Sequence, residues 1–215
     1  MRPGLVVFDM DGVLVDSERI ANRIFHACLA EHGVPLTLEQ TTRRYVGRSM
    51  AFAVADIDKS FGIVLPPDFA ETERAKVLAA YEGELQAVEG VPELLEGLDL
   101  PFCLASSSDP PRIKRSLELC GLLGFFEGHC FSATQVANGK PAPDLFLFAA
   151  EQMGFAAADC VVVEDTLAGL AAAKAAGMKA YAYAGAGHTD RGELAATGAV
   201  VIDRMAELAK VLRAD

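Results

Sequence analysis

The segment CVVVED at positions 160–165 constrains the fold more than any other part of the chain. Three consecutive valines without polar alternation predict a strand that is buried on both faces. Strands of this kind belong to parallel sheets that helices cover on both sides. Further strand candidates, separated by helical patterns, are LVVF (5–8), LPFCLAS (100–106), CFSA (130–133), KAYAYA (179–184) and AVVI (199–202). The chain is therefore predicted to be an α/β protein with a parallel sheet between helices.

The region from 17 to 87 interrupts this alternation of strands and helices. It begins with ERIANRIFHACLAEHG, whose apolar residues recur at helical spacing, and further helical patterns follow with no strand candidate between them. We therefore predict an inserted all-helical domain at 17–87, with residues 1–16 and 88–215 forming the α/β core domain.

Composition limits the possible partners. The 215 residues carry a net charge of −11, which disfavours nucleic-acid binding, whereas an acidic chain suits a divalent cation. Two short basic clusters are interpreted as solvated faces. They are Arg43, Arg44 and Arg48, and Arg112, Lys114 and Arg115.

The apolar runs are too short for a membrane helix, and the N-terminal run passes directly into Asp9 without a cleavage site. Five cysteines, an odd number with no C-x-x-C spacing, indicate buried thiols rather than disulfides or zinc ligands. The expectation is a cytoplasmic protein without a membrane partner, and a monomer is favoured.

The first candidate site is the sequence DMDG at 9–12. Residues two apart on a strand share a face, so Asp9 and Asp11 would emerge together at the carboxyl edge of the first strand. Gly12 would then allow a tight backbone reversal. Two close carboxylates indicate a metal site or an acid/base pair, but a polar strand end before a turn is the simpler alternative. A calcium loop is excluded because its required positions hold Val13, Leu14 and Ile20.

The second candidate is Ser106-Ser107-Ser108, directly after the strand LPFCLAS. Hydroxyl and backbone N–H groups at a strand end can hold an oxyanion. The alternative is that the segment only starts a helix, with Asp109 as its cap and Pro110 as its first residue.

Two more candidates follow later strands. Lys140 lies in NGKPAPD, a segment stiffened by Pro141 and Pro143, and could neutralise a phosphate or an aspartate. The alternative is an exposed loop lysine. Glu164 and Asp165 end CVVVED, where they could bind a metal or simply interact with a helix N-terminus.

These four segments all follow the carboxyl ends of predicted parallel strands, so one edge of the sheet would gather carboxylates, hydroxyls and a lysine. Such a set fits metal-assisted chemistry on an oxyanion, with Mg²⁺ as the expected cofactor.

The motifs FDMDGVLVDS, LASSS, GKPAPD and VVEDTLAG, in this order, resemble those of the haloacid dehalogenase superfamily. The resemblance is closest to the phosphatase and β-phosphoglucomutase-like branch, and it extends over essentially the whole chain. It implies a Rossmann-like core with a helical cap domain. It also implies Mg²⁺-dependent hydrolysis of a small phosphorylated metabolite, either a sugar phosphate or a sugar-acid phosphate.

The resemblance also implies roles for individual residues. Asp9 would be the nucleophile that forms an aspartyl-phosphate, and Asp11 the general acid/base. Ser106 would bind the transferring phosphoryl group, and Lys140 would stabilise its charge. The implied metal ligands are Asp9, Asp11 through its carbonyl group, Asp165, and Glu164 directly or through water. The predicted substrate-binding residues are Gly12, Ser107 and Arg48. Arg48 could contact a substrate anion or be a solvated loop arginine.

Two alternatives stay open, a phosphomutase of the β-phosphoglucomutase type and a non-catalytic binding module. The mutases carry a histidine where this chain has Ala21. They also carry an arginine at the third position after a glycine, where this chain has Met50 after Gly47. Both differences favour a phosphatase, and the intact motifs disfavour the binding module. The segment GAGHTDRGEL after KAYAYA is predicted to be a loop. Its His188 is interpreted as a surface-turn histidine, and the alternative is that it faces the mouth of the site.

Overall fold

The computed structural model of the protein describes residues 2–46, 48 and 50–214, with the side chains of the last two excepted. The chain forms two compact units, one of Met1–Asp16 with Gln86–Asp215 and one of Ser17–Leu85. The chain rejoins the first unit at Gln86, two residues before the predicted 88. The reason is local pairing, since the Gln86 carbonyl accepts from the Asp16 N–H at 2.9 Å.

The second unit, hereafter the helical unit, contains four helices in its described residues. They are α1 (Ser17–Glu31), α2 (Leu38–Tyr45), α3 (Met50–Phe61) and α4 (Phe69–Glu84). Its core is aromatic. Phe25 packs edge-on against Tyr45 and Phe69, with ring centroids 5.8 and 6.2 Å apart.

The first unit, hereafter the core unit, is built on a six-stranded parallel sheet, as predicted. The strands are β1 (Leu5–Phe8), β2 (Phe102–Ser106), β3 (Cys130–Ser132), β4 (Cys160–Glu164), β5 (Lys179–Tyr183) and β6 (Val200–Ile202). Their spatial order is β3-β2-β1-β4-β5-β6, so the order reverses between β1 and β4. In open α/β sheets, ligands bind outside the carboxyl ends of the strands at this reversal.

The described residues of the core unit form six α-helices, of which five lie between strands and the sixth follows the last strand. They are α5 (Val91–Glu96), α6 (Pro110–Leu119), α7 (Asp144–Met153), α8 (Leu167–Ala175), α9 (Arg191–Ala196) and α10 (Met205–Ala214). Every residue of β1 and β4 is buried, which explains why these strands lack polar alternation. One face of the sheet packs on small helical residues such as Ala149 and Ala172, which let α7 and α8 approach the strands closely.

Helix α9 lies in a segment that the sequence analysis treated as a loop, and that prediction is wrong. Asp190 begins the helix, because its Oδ1 accepts from the N–H groups of Gly192 and Glu193 at 2.8 and 3.1 Å. All five cysteines are free thiols. No helix among the described residues is both long enough and apolar enough to cross a membrane.

Candidate active site

Four predicted segments meet at the carboxyl edge of the sheet, at the reversal of strand order. Asp9 follows β1, Ser106 ends β2, and Glu164 with Asp165 ends β4. Lys140 enters from the loop between β3 and α7. The structure thus brings together side chains that are up to 156 positions apart in the sequence, counted from Asp9 to Asp165.

Lys140 lies at the centre of the site. Its Nζ donates to Asp9 Oδ1 at 2.5 Å, to Glu164 Oε1 at 2.8 Å and to the Ala105 carbonyl at 3.2 Å. The side chain is 5% exposed. The interpretation as an exposed loop lysine is therefore wrong, and the loop delivers its charge to two buried carboxylates.

Burial and charge oppose each other in this group. Burial disfavours the charged form of Lys140, but the carboxylates of Asp9 and Glu164 outweigh it and hold the pKa of Lys140 above its ordinary value. Burial raises the pKa of Asp9 to about 7 despite Lys140, and the charges of Glu164 and Asp11 add to the increase. Additional positive charge at this place would stabilise the ionised form of Asp9.

Glu164 uses both carboxylate oxygens in hydrogen bonds. While Oε1 accepts from Lys140, Oε2 accepts from the N–H groups of Asp165 and Thr166 and from the Thr166 hydroxyl, at 2.7 to 2.9 Å. The Thr166 Oγ1 in turn accepts from the Gly169 N–H at 3.0 Å and caps α8. Glu164 therefore connects the start of α8 to the lysine.

The site fits a divalent cation. Asp9, Glu164 and Asp165 are all buried, and each offers a carboxylate oxygen within 4.8 Å of the others. When all three are ionised, their charges face the single positive charge of Lys140, and two negative charges remain for a cation to balance. Mg²⁺ takes hard oxygen ligands of this kind. Asp9 and Asp165 are the better direct ligands, because both oxygens of Glu164 already accept hydrogen bonds.

Gly12 and His188 enclose Asp165. The backbone of Gly12 has φ +80°, and a Cβ built there would come within 1.8 Å of Asp165 Oδ2. His188 Nε2 lies 3.4 Å from the same oxygen, and the histidine side chain is 5% exposed. The interpretation of His188 as a surface-turn residue is therefore wrong. Burial lowers the pKa of His188, which favours the neutral ring. Its position after β5, close to the edge that carries the other groups, was the available sequence signal.

The three serines after β2 have different environments. Ser106 is fully buried, and its Oγ accepts from the Ser108 N–H at 3.1 Å. Ser107 is exposed. Ser108 is buried and turns its hydroxyl toward Asp11. Asp109 caps α6, as the alternative interpretation predicted, by accepting from the Arg112 N–H at 2.9 Å.

The side chain of Asp11 is 22% exposed, and its two carboxylate oxygens have separate partners. Its Oδ1 accepts from the Arg112 guanidinium at 2.8 Å, and its Oδ2 from the Ser108 hydroxyl at 3.0 Å. Arg112, interpreted from the sequence as part of a solvated face, is 29% exposed at its side chain and pairs with Asp11 instead. The sequence signal for a site role of Arg112 was its place in the first turn of a helix that follows a central strand.

Arg48 belongs to the helical unit. Its guanidinium lies 5.3 Å from the centre of the Phe52 ring. It lines a cavity of about 250 Å³ within that unit. Other lining residues are Glu18, Ala21, Asn22, Met50 and Glu73. Gly47, which the comparison with mutases used, lies outside the described residues.

Comparisons with known proteins identify the family. The profile of haloacid dehalogenase-like hydrolases matches residues 3–177. The chain is 31% identical to the 6-phosphogluconate phosphatase of Escherichia coli over 83% of its own length and 81% of that enzyme. It is 29% identical to the fructose-1-phosphate phosphatase of the same organism over 81% of its length and 93% of that enzyme.

A crystal structure of a family hydrolase from Deinococcus radiodurans, with bound phosphate and sodium, has the same fold. It superposes with a TM-score of 0.88 at 34% identity, over 99% of this chain and 96% of that one. The resemblance found in the sequence is thereby confirmed. The chain belongs to the haloacid dehalogenase-like hydrolases, in their phosphatase branch.

Proposed function

We propose that this protein is a Mg²⁺-dependent phosphatase that hydrolyses a small phosphorylated metabolite through an aspartyl-phosphate. The observation that carries the proposal is the buried arrangement of Asp9, Lys140 and Glu164 beside Asp165 at the reversal of strand order. A carboxylate in contact with a buried lysine, beside further carboxylates that can hold a divalent cation, suits phosphoryl transfer, which depends on alignment and charge neutralisation.

The reaction has two displacements. A carboxylate oxygen of Asp9 forms a bond to phosphorus while the bond from phosphorus to the leaving oxygen breaks, and the Asp11 carboxyl group gives that oxygen a proton. A water oxygen then forms a bond to the same phosphorus, the bond to Asp9 breaks, and Asp11 takes the proton of the water. Inorganic phosphate leaves, and both aspartates return to their first state.

The remaining side chains hold charge and position. Lys140 keeps one oxygen of Asp9 oriented and places a positive charge beside the transferring group. Ser106 supplies a hydroxyl at the end of β2 for a phosphoryl oxygen. Mg²⁺, when bound by Asp9, Asp165 and the Asp11 carbonyl group, offsets the negative charge of the phosphoryl group. Glu164 would contribute through water, because its oxygens hold Lys140 and the start of α8.

A sugar phosphate or a sugar-acid phosphate is the proposed substrate class. We propose that the helical unit is the cap that selects it, with Arg48 among the contacting residues, since its cavity is lined by charged and amide side chains that suit hydroxyl groups. The relatives named above act on 6-phosphogluconate and fructose 1-phosphate. Ala21 and Met50, where mutases have histidine and arginine, favour hydrolysis over phosphate migration.

A phosphate-release screen tests this proposal. The wild-type protein is expected to release phosphate from one or more members of a panel of sugar phosphates, sugar-acid phosphates, phosphoglycolate and nucleotides. Release should require Mg²⁺ and stop with EDTA. Interconversion of hexose phosphates that depends on a bisphosphate activator would identify a mutase instead. No Mg²⁺-dependent release from any member of the panel would contradict both activities.

The affinity for Mg²⁺ is expected to rise with pH. Because Asp9 has a raised pKa of about 7, a proton competes with the metal at neutral and lower pH. Ionised Asp9 becomes the main form above that value, so the apparent affinity should increase by roughly tenfold from pH 6 to pH 8. Isothermal titration of Mg²⁺ into the protein in buffers of different ionisation enthalpy measures both the affinity and the released proton. An affinity that is constant over this range would show that Asp9 is ionised without the metal.

A further inference from the structure

The carboxylate of Asp11 is held by two donors from one short segment, Ser108 and Arg112, hereafter the Asp11 donors. Arg112 donates to Oδ1 at 2.8 Å and Ser108 to Oδ2 at 3.0 Å, so each oxygen has its own partner. Ser108 and Arg112 follow Asp11 in the chain by 97 and 101 residues, respectively. Nothing in the family resemblance or in the comparisons assigns a role to either donor.

The segment between β2 and α6 fixes both donors. The Ser108 N–H donates to Ser106 Oγ at 3.1 Å, and its carbonyl accepts from the Ser132 hydroxyl at 2.7 Å. Asp109 caps α6 by accepting from the Arg112 N–H. The backbone of each donor is therefore held by a buried or capping side chain before any substrate binds.

The other basic residues of α6 behave differently. Lys114 and Arg115 are 68% and 51% exposed and pair with Glu118 on the same helix. Ion pairs of that kind contribute little to stability. Of these three basic side chains, Arg112 is the one that pairs with Asp11, across the sheet edge, and the pair is 29% and 22% exposed. This partial burial orders the two groups in one geometry.

We propose that Ser108 and Arg112 are positioning residues that orient Asp11 for proton transfer, an inference that rests on the proposed function. A carboxylate oxygen has two lone pairs, so each Asp11 oxygen keeps one for a leaving group or a water. When Asp11 gives its proton to the leaving oxygen, the carboxylate that results faces two donors. Their hydrogen bonds keep the group in place to accept the proton of the attacking water.

Two aryl phosphates distinguish a role in proton transfer to the leaving group from a general loss of structure. p-Nitrophenolate leaves without needing a proton, whereas phenolate is more basic and depends on the acid. The value of kcat/KM covers steps up to the first irreversible one, so it reports the transfer to Asp9 even when the second displacement limits turnover. We expect Arg112→Ala to lower kcat/KM for phenyl phosphate about 100-fold, and for p-nitrophenyl phosphate less than tenfold.

Ser108→Ala, which removes a single hydroxyl group, should show the same selectivity with a smaller loss, and it keeps the test decisive if Arg112→Ala folds poorly. Arg115→Ala is the matched control on the same helix and should leave both values unchanged. An equal fall for the two phosphates in both donor variants, or no fall in either, overturns the inference. Absence of Mg²⁺-dependent hydrolysis by the wild-type protein of both aryl phosphates and of every metabolite in the screen overturns the proposed function, and the inference with it.

Discussion

Replacing Asp9 with asparagine is expected to abolish hydrolysis of p-nitrophenyl phosphate, with a fall in kcat of roughly 10⁴-fold or more. The amide has nearly the shape of the carboxylate, but its oxygen is a poor nucleophile and cannot form the aspartyl-phosphate. Lys140 keeps its contacts with Glu164 and the Ala105 carbonyl, so the surroundings should persist. Release of p-nitrophenol at saturating Mg²⁺, with the thermal midpoint of each variant, measures the effect.

Asp58→Asn provides the matched control, because it makes the same chemical change at an exposed residue. Asp58 lies on α3 of the helical unit. This variant should retain the wild-type rate. Acid quenching of the wild-type enzyme during turnover of ³²P-labelled substrate should trap label on the protein, and Asp9→Asn should trap none. If Asp9→Asn retains the wild-type kcat, the nucleophile is another group and the mechanism is wrong.

The sheet edge could be predicted from the sequence because it follows from strand polarity alone. Once CVVVED and LVVF are parallel strands, the residues after them must lie at the same edge, whatever their side chains do. Asp9 and Asp165 follow from this argument, and Lys140 from its rigid loop, which Pro141 and Pro143 stiffen. The position of a backbone segment is thus predictable from periodicity and from the residues that end each element.

The directions of side chains could not be predicted in the same way. Arg112, Lys114 and Arg115 form one basic cluster in the sequence, yet helical rotation directs the first toward Asp11 and the others toward Glu118. His188 was misjudged for a similar reason, since its position after β5 places it near the sheet edge but does not give the direction of its side chain toward Asp165. Pairing over such sequence distances depends on the packed structure.

The separate roles of Glu164 and Asp165 could not be predicted from the sequence either. The pair Glu164-Asp165 is equally compatible with two metal ligands or with one ligand and one support. Only the hydrogen bonds separate them, because Glu164 accepts from Lys140 and from the start of α8. The four motif segments therefore predict where the site lies, while the roles of single residues within it depend on hydrogen bonds that only the folded structure shows.

Replacing Gly169 with alanine is expected to lower both stability and activity, which is the reverse of the usual effect in a helix. Helix propensity alone would stabilise the protein by up to about 1 kcal/mol. However, a Cβ at Gly169 would lie 1.8 Å from Glu164 Oε1 and 1.9 Å from its Cδ. The carboxylate must move, and this movement breaks buried hydrogen bonds to Lys140 and Thr166. We expect a loss of about 3 kcal/mol in the free energy of unfolding.

Activity should fall with the same substitution, by roughly 100-fold in kcat. The reason is that Lys140 loses its contact with Glu164, which helps to hold it beside Asp9. Gly83→Ala is the matched control, since Gly83 lies in α4 and an added Cβ there has no heavy atom within 4 Å. Urea unfolding of both variants, monitored alongside phosphate release, compares the two glycines directly. If Gly169→Ala is as stable and active as Gly83→Ala, Glu164 moves without cost. In that case its contact with Lys140 does not organise the site.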